Sequence, residues 1–316
     1  MISLLSLPLT AALAMAGIWL DHYLGEPRRA HPLIGFGQLA SHLDKRLNKG
    51  PGNRSAGALA WMLAVTPPVA LSVWLLRQLP TPLDWALHAL LLWFSLGARS
   101  LREHIAPIGQ ALLQQDLTTA RRLTARIVSR DTTQADATAL SRAAVESALE
   151  NGSDAVFGAL FWFVVAGGPG ALAYRLANTL DAMWGYKTTR YKRFGWAAAR
   201  IDDGLNWIPA RLTALSYALL GQTRHALHCW KTQAPHWDSP NAGPVMAAGA
   251  GSLGVLLGGA AVYHGVEEQR PVLGVGAPPD PADITAAIRL VERTILLWLA
   301  ALILLALPAT LWHWIS

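Results

Sequence analysis

TILLWLAALILLALPATLWHWI, residues 294–315, contains no Asp, Glu, Lys or Arg. As a helix rising ~1.5 Å per residue it would reach about 33 Å, enough to cross a hydrocarbon core of ~30 Å. Residues 1–20 and 56–76 are equally free of charge, and 83–98 form a shorter fourth candidate entered past Asp84 and His88. These stretches explain a composition that is 53% hydrophobic and 15% charged, where a soluble domain carries ~25% charged residues. No β-alternation is sustained and no internal repeat is evident. The expected class is an all-α, multi-pass integral membrane protein.

Basic residues set the orientation. No Lys or Arg precedes Asp21, so the first stretch lacks the positive n-region of a secretory signal. Arg28, Arg29, Lys45, Arg46, Lys49 and Arg54 come after it, and the positive-inside rule puts that loop in the cytoplasm and the N-terminus outside. About three spans return the chain to the cytoplasm at Arg99, and the last span sends the C-terminus out. Of the 26 Lys and Arg, Arg77 alone then lies outside. The expected organisation is an N-terminal membrane region over 1–98, a long helical catalytic region over 99–293, cytoplasmic or membrane-associated, and a C-terminal span over 294–316. A net charge of +6 suits an anionic inner leaflet and small anions, and no nucleic-acid module is present. Cys229, the single cysteine, excludes an internal disulfide and a cysteine-cluster metal site.

Within 99–293, residues 101–129 read as one helix from the spacing of Leu101, Ile105, Ile108, Leu112, Leu123 and Ile127. A second helix runs from Asp136, a capping residue, to Glu150. On it Arg142, Glu146 and Glu150 align at i, i+4, a spacing whose plain reading is a solvated, salt-bridged edge. Residues 155–166 are apolar but too short to span and end at GGPG (167–170), which fits a re-entrant or surface-lying hairpin. Residues 205–220 and 243–262 are admissible as spans only as a pair. The glycines of GAGSLGVLLGG lack the Lys-Ser/Thr of a phosphate-binding loop and suit close helix packing.

Polar residues gather in four places. SRDTTQ holds Arg130 and Asp131, and VESALENGSD holds Glu146, Glu150, Asn151 and Asp154. Residues 178–212 hold Asn178, Asp181, Lys187, Arg190, Arg193, Asp202, Asp203, Asn206 and Arg211, and DSPNAG supplies Ser239 and Asn241. On a helix Asn178 and Asp181 share a face, as do Asp203 and Asn206. Carboxylates beside amide oxygens suit Mg²⁺, which takes one or two carboxylates plus phosphate oxygens. Neighbouring Lys and Arg would neutralise those phosphates. A basic patch on anionic lipid accounts for Lys187–Arg193 equally well, but leaves the aspartates and asparagines unexplained.

Taken together, LDHYLGEPRRAHPLIGFGQLA, SRDTTQADATALSRAAVESALENGSDAV, the stretch through 178–212, SPNAG and LGG resemble the adenosylcobinamide-phosphate synthases, the CobD/CbiB family of cobalamin biosynthesis. They run in family order from residue 20 to about 260. The chain departs from the common pattern at Pro244, Val245 and Met246 after SPN, at Ala260 and Ala261 after LGG, and at Gly152. The resemblance implies a multi-pass membrane enzyme that joins adenosylcobyric acid, through a propionate carboxyl group, to aminopropanol or its O-phosphate by ATP-dependent amide ligation. Chemistry then suggests roles: Glu146, Glu150 and Asp181 catalytic; Asp181, Asp202 and Asp203 for Mg²⁺; Lys187, Arg190, Arg193 and Arg211 for phosphates. Arg130, Asp131, Asn151, Asn178, Asn206, Ser239 and Asn241 complete the expected substrate contacts. ATP and Mg²⁺ are the implied cofactors. The lipid bilayer, other late enzymes of the pathway and a second copy of the chain are admissible partners. A transporter would need ionisable residues inside its spans, which the three clearest spans lack, and a membrane-anchored regulator would be expected to lose the polar clusters.

Overall fold

The computed structural model describes residues 5–26, 32–50, 52–263 and 265–315, with 309–315 described by backbone alone. Its elements run in order α1 (Leu7–Leu24), α2 (Pro32–Leu47), α3 (Arg54–Gln78), α4 (Leu83–Ser95), α5 (Ala98–Leu113), α6 (Leu117–Thr124) and α7 (Ala137–Gly152). A π-helical turn at Ser153–Phe157 leads into α8 (Gly158–Trp184), followed by α9 (Trp196–Leu220), α10 (Thr223–Gln233) and α11 (Ala242–Leu253). A hairpin of β1 (Leu256–Tyr263) and β2 (Val266–Gly274) precedes α12 (Pro281–Ile315). The fold is helical as expected, and this antiparallel hairpin is the one sheet among the described residues. It forms where the sequence sustains no β-alternation.

The chain forms two compact units. The first comprises residues 1–97, 158–206 and 301–316, and the second 98–157 and 207–300. In the first, α2, α3 and α8 close over Phe36, Ala60, Ala64, Leu172, Leu176, Leu180 and Trp184, with the Trp184 and Phe194 rings 5.1 Å apart. Small Ala residues on α3 let the helices approach closely, while Leu71 and Trp74 stay exposed, as a lipid-facing surface requires. The α8 helix breaks at Ala166 (φ −138°, ψ 17°) and Gly167 (φ 65°, ψ −158°). The amide of Gly168 donates to Nδ1 of His88 on α4 at 2.9 Å, so the backbone group freed by the break is satisfied within the protein. GGPG therefore marks the break, with Pro169 in the first turn after it.

In the second unit α11 threads between α7 and α10. A Cβ at Gly249 would lie 2.7 Å from Leu149, and one at Gly251 2.8 Å from Ala226, so these glycines do serve close helix packing. Asp136 caps α7 as expected, its carboxylate accepting from the Ala139 amide at 2.7 Å.

Two expectations on the long region fail. The 101–129 helix is interrupted at Gln115 (φ 58°), and Asp116 starts α6 by accepting from Thr119 N at 2.9 Å. The stretch 243–262 does not span: α11 has 12 residues, about 18 Å at ~1.5 Å each, and Gly254 (φ 73°) ends it before β1. The paired span at 205–220 falls with it. Residues 155–166 end at the break at Ala166 and Gly167 as expected, inside a helical run, Ala137–Trp184, that is long and apolar enough to cross a membrane and has 67% of its apolar window buried inside the protein. The other two runs that qualify are Arg54–Gln78 and Pro281–Pro308. Neither α1 nor α4 is among them, and residues 1–4 lie outside the described residues.

Candidate functional site

The second unit builds a buried ionic centre from three distant segments. Glu146 on α7 is 3% exposed. Its carboxylate accepts from Arg130 Nη2 and from Arg270 Nη1 and Nη2 at 2.9 and 3.1 Å, and its Oε1 accepts the Gly258 amide at 2.8 Å. Two guanidiniums and one backbone N–H thus saturate one carboxylate. The solvated-edge reading of the Arg142–Glu146–Glu150 stripe is wrong, because the hairpin covers this face of α7. Glu146 pairs across the fold rather than along its own helix. Glu150 lies close enough to interact electrostatically with Glu146, Arg130 and Arg270.

Beside this centre lies a cavity of about 260 Å³, walled by the 130–135 loop, the start of α7, Ala260–Val262 of β1 and Glu267 of β2. The loop is fixed by Asp131 N donating to Val262 O at 2.8 Å and by Arg121 Nε donating to Ala135 O at 2.9 Å. Asp131 Oδ1 accepts from the amide and hydroxyl of Thr133 at 2.8 and 2.7 Å, and these bonds hold the carboxyl below its ordinary pKa. Arg142 also lines the cavity. Its buried Nε has no hydrogen-bond partner, and no ion pair is found for it among the described residues.

Elsewhere in this unit Arg211 donates to Trp207 O at 2.7 Å and Asn241 Oδ1 at 3.2 Å, and stacks 4.2 Å over the Trp207 ring. Ser239 Oγ accepts from the Asn241 and Ala242 amides, so SPN starts a helix. Asn151 is exposed and bonds back to Ser147. A Cβ at Gly152 would sit 2.7 Å from Tyr217 Oη and 2.8 Å from Val291 Cγ2, so this departure from the family pattern matches tight local packing.

The first unit gathers the other polar cluster around Asp202, which is 7% exposed. Asn178 Nδ2 donates to its Oδ1 at 3.3 Å and Asn206 Nδ2 to its Oδ2 at 3.0 Å, while Asn206 Oδ1 accepts from Tyr174 Oη at 2.7 Å. Both amides turn to Asp202, that of Asn206 from one helical turn away at i, i+4. Burial, then the Asp181 charge, pushes the Asp202 carboxyl up to about 7, against the two amides. Asp203 instead faces Arg200 at 3.4 Å and Lys187. Among the described residues no three His, Cys, Asp or Glu are grouped as metal ligands. Tyr174 also lines a mostly apolar cavity of about 620 Å³ with Trp162, His88 and Arg77.

Arg190 is committed elsewhere in this unit. Its Nη2 donates at 2.7 Å to Asp44, which Tyr191 and Asn48 also bond, so it ties the loop after α8 to α2. Lys187 and Arg193 are exposed. Sequence reasoning missed Arg270, Arg142 and Glu267 as site residues. Arg270 reaches Glu146 only through the hairpin register that opposes Gly259 to Arg270, which no helical periodicity reveals.

A sequence model for a family described as CobD/CbiB protein matches residues 14–291. A relative from Stutzerimonas stutzeri (strain A1501), named cobalamin biosynthesis protein CobD, is 59% identical over 291 residues, covering 92% of this chain and 95% of its own. Proteins of the same name from Halalkalibacterium halodurans and Mycobacterium tuberculosis (strain H37Rv) are 38% and 40% identical, covering 90% and 87% of this chain and 93% and 88% of theirs. No solved structure matches. With both polar clusters inside a match of this length, the chain belongs to the CobD/CbiB family.

Proposed function

We propose that this protein is an adenosylcobinamide-phosphate synthase of cobalamin biosynthesis, a multi-pass protein of the cell's inner membrane with its 99–293 region on the cytoplasmic side. The reaction condenses a propionate carboxylate of adenosylcobyric acid with the amine of aminopropanol or its O-phosphate. ATP is the co-substrate: the carboxylate takes a phosphoryl group with release of ADP, and the amine then attacks the acyl phosphate, expelling phosphate and losing a proton. Activation through an acyl adenylate, releasing AMP, is the variant of the same chemistry. The single observation that carries the reading is the second unit's cavity, where arginines and carboxylates converge beside Glu146 in a chain whose relatives are named for cobalamin biosynthesis.

Glu146 acts as a positioning residue, since Arg130, Arg270 and Gly258 occupy its carboxylate. Glu150, not bound in that clamp, is the better candidate for orienting the ammonium or taking its proton. Magnesium fits the Asp181 and Asp202 carboxylates, whose uncompensated charges a cation would relieve. The donor set suits an ion that keeps phosphate oxygens or water among its ligands. When bound, the ion would neutralise phosphate charge.

The test is turnover by purified protein in detergent with adenosylcobyric acid, aminopropanol phosphate, ATP and Mg²⁺. The amide product, detected by mass, should form with stoichiometric ADP or AMP. Full activity without nucleotide would overturn the activated-carboxylate mechanism. Accumulation of corrinoid in proteoliposomes without any amide would replace the ligase with a transporter.

A further inference from the structure

We propose that the 260 Å³ cavity of the second unit is a subsite for a small zwitterion carrying phosphate and ammonium groups, with the Arg142 guanidinium as the phosphate ligand and the Asp131 carboxylate facing the ammonium. Identifying that zwitterion as the amino-alcohol phosphate rests on the ligase reading; the recognition chemistry does not.

The wall charges drive the inference. Arg130 is spent on Glu146, but Arg142 lines the cavity and has no ion pair among the described residues. An anion arriving in the cavity would supply the countercharge that the Arg142 guanidinium lacks. A planar guanidinium suits phosphate oxygens two at a time. The same walls carry Asp131, with one oxygen satisfied by Thr133, and Glu267, which accepts from Gln269 at 2.9 Å. A bare anion would face both carboxylates, and a bare amine would face Arg142. A molecule with both charges satisfies both walls. Size narrows the class further: 260 Å³ lies below the ~300–1,000 Å³ of pockets for drug-sized ligands, far too small for a corrin. The small side chains of Ala260 and Ala261 leave this space open.

A phosphoethanolamine lipid headgroup shares this chemistry but as a phosphodiester, so the experiment separates the two sources. Calorimetric titration of the full-length protein in detergent, without ATP or corrinoid, should show aminopropanol phosphate binding at least about tenfold more tightly than inorganic phosphate or aminopropanol. Arg142→Gln should weaken that binding at least about tenfold and Arg142→Lys less. Ala260→Leu, which fills the cavity from an exposed position, should abolish it while the melting temperature stays at the wild-type value. Equal affinity in Arg142→Gln and Ala260→Leu, or inorganic phosphate binding as tightly as the zwitterion, would overturn the proposal. Competition by micelles containing phosphatidylethanolamine as strong as that by the monoester would overturn it in favour of a lipid site. Arg142-dependent binding in a protein with no ligase activity would sink the ligase reading alone. Ligation with an unchanged KM for aminopropanol phosphate in Arg142→Gln would sink this subsite alone.

Discussion

With 3% of its surface exposed, Glu146 has little water to solvate it, so its charge is held by Arg130, Arg270 and the Gly258 amide. Removing one member of a buried ion pair leaves the other charges uncompensated, at a cost of about 3–5 kcal/mol. Glu146→Gln should therefore lower the melting temperature markedly in detergent. An unchanged melt with lost turnover would instead make Glu146 a catalytic group. Asp202 offers the opposite electrostatics. Its folded pKa, about 7, lies above the ~3.9 of an unfolded aspartate, so between those values the native state binds more protons. Stability must then fall as pH rises from about 4 to about 7 and stay low above that. Asp202→Asn should flatten this part of the pH–melting curve, and millimolar Mg²⁺ should raise the wild-type melt more at pH 8 than at pH 5. A curve with the same slope in Asp202→Asn would remove the effect from this residue. At this scale the sequence named Glu146, Arg130, Asp202, Asn178 and Asn206 but not how they pair. Spacing aligns residues on one helix and is silent about Arg270, which is 124 positions from Glu146.

The hairpin is the element that periodicity concealed. LLGGAAVY is apolar nearly throughout, and the register slips between Leu257 and Gly259, so no period of two survives in the sequence. Gly258 sits at that slip with φ 74°, and a Cβ there would lie 2.0 Å from Pro271 O. The same residue gives its amide to Glu146, so strand geometry and ionic centre share one position. Gly258→Ala should destabilise the protein by displacing β2 and drawing Arg270 away from Glu146. Combined with Glu146→Gln it should cost less than the sum of the single changes, because both break one network. Additive melting shifts in the double variant would show the hairpin and the carboxylate to be independent. Where helices have strong local signals, as at Asp136 before α7, the boundary was legible. At Gln115 a left-handed residue inside an otherwise helical pattern was not, since only φ distinguishes that turn from continued helix.

For the whole molecule, composition reveals the membrane class but not the list of crossings. Three helical runs are long and apolar enough, while α4, at 13 residues, is about 20 Å long by a rise of ~1.5 Å per residue. Charge decides between the alternatives. If α3 crossed outward and α4 did not cross back, Arg99, Arg102, Arg121, Arg122 and Arg126 would all lie outside, against the positive-inside rule. If Ala137–Trp184 crossed as well, Lys187, Arg190, Lys192 and Arg193 would change sides. The topology with fewest misplaced cations lets α4 cross and keeps the Ala137–Trp184 run from crossing, which agrees with its largely protein-buried apolar window. Alkaline phosphatase fused after Asp136 or after Thr189 should then be inactive, and fused after Ser316 active, because α12 is long and apolar enough to cross and its basic residues, Arg289 and Arg293, lie before its apolar run. Activity at Thr189 with none at Asp136 would show that 137–184 crosses. The basic loop around Arg190 would then lie outside, and cytoplasmic ATP could not be its ligand.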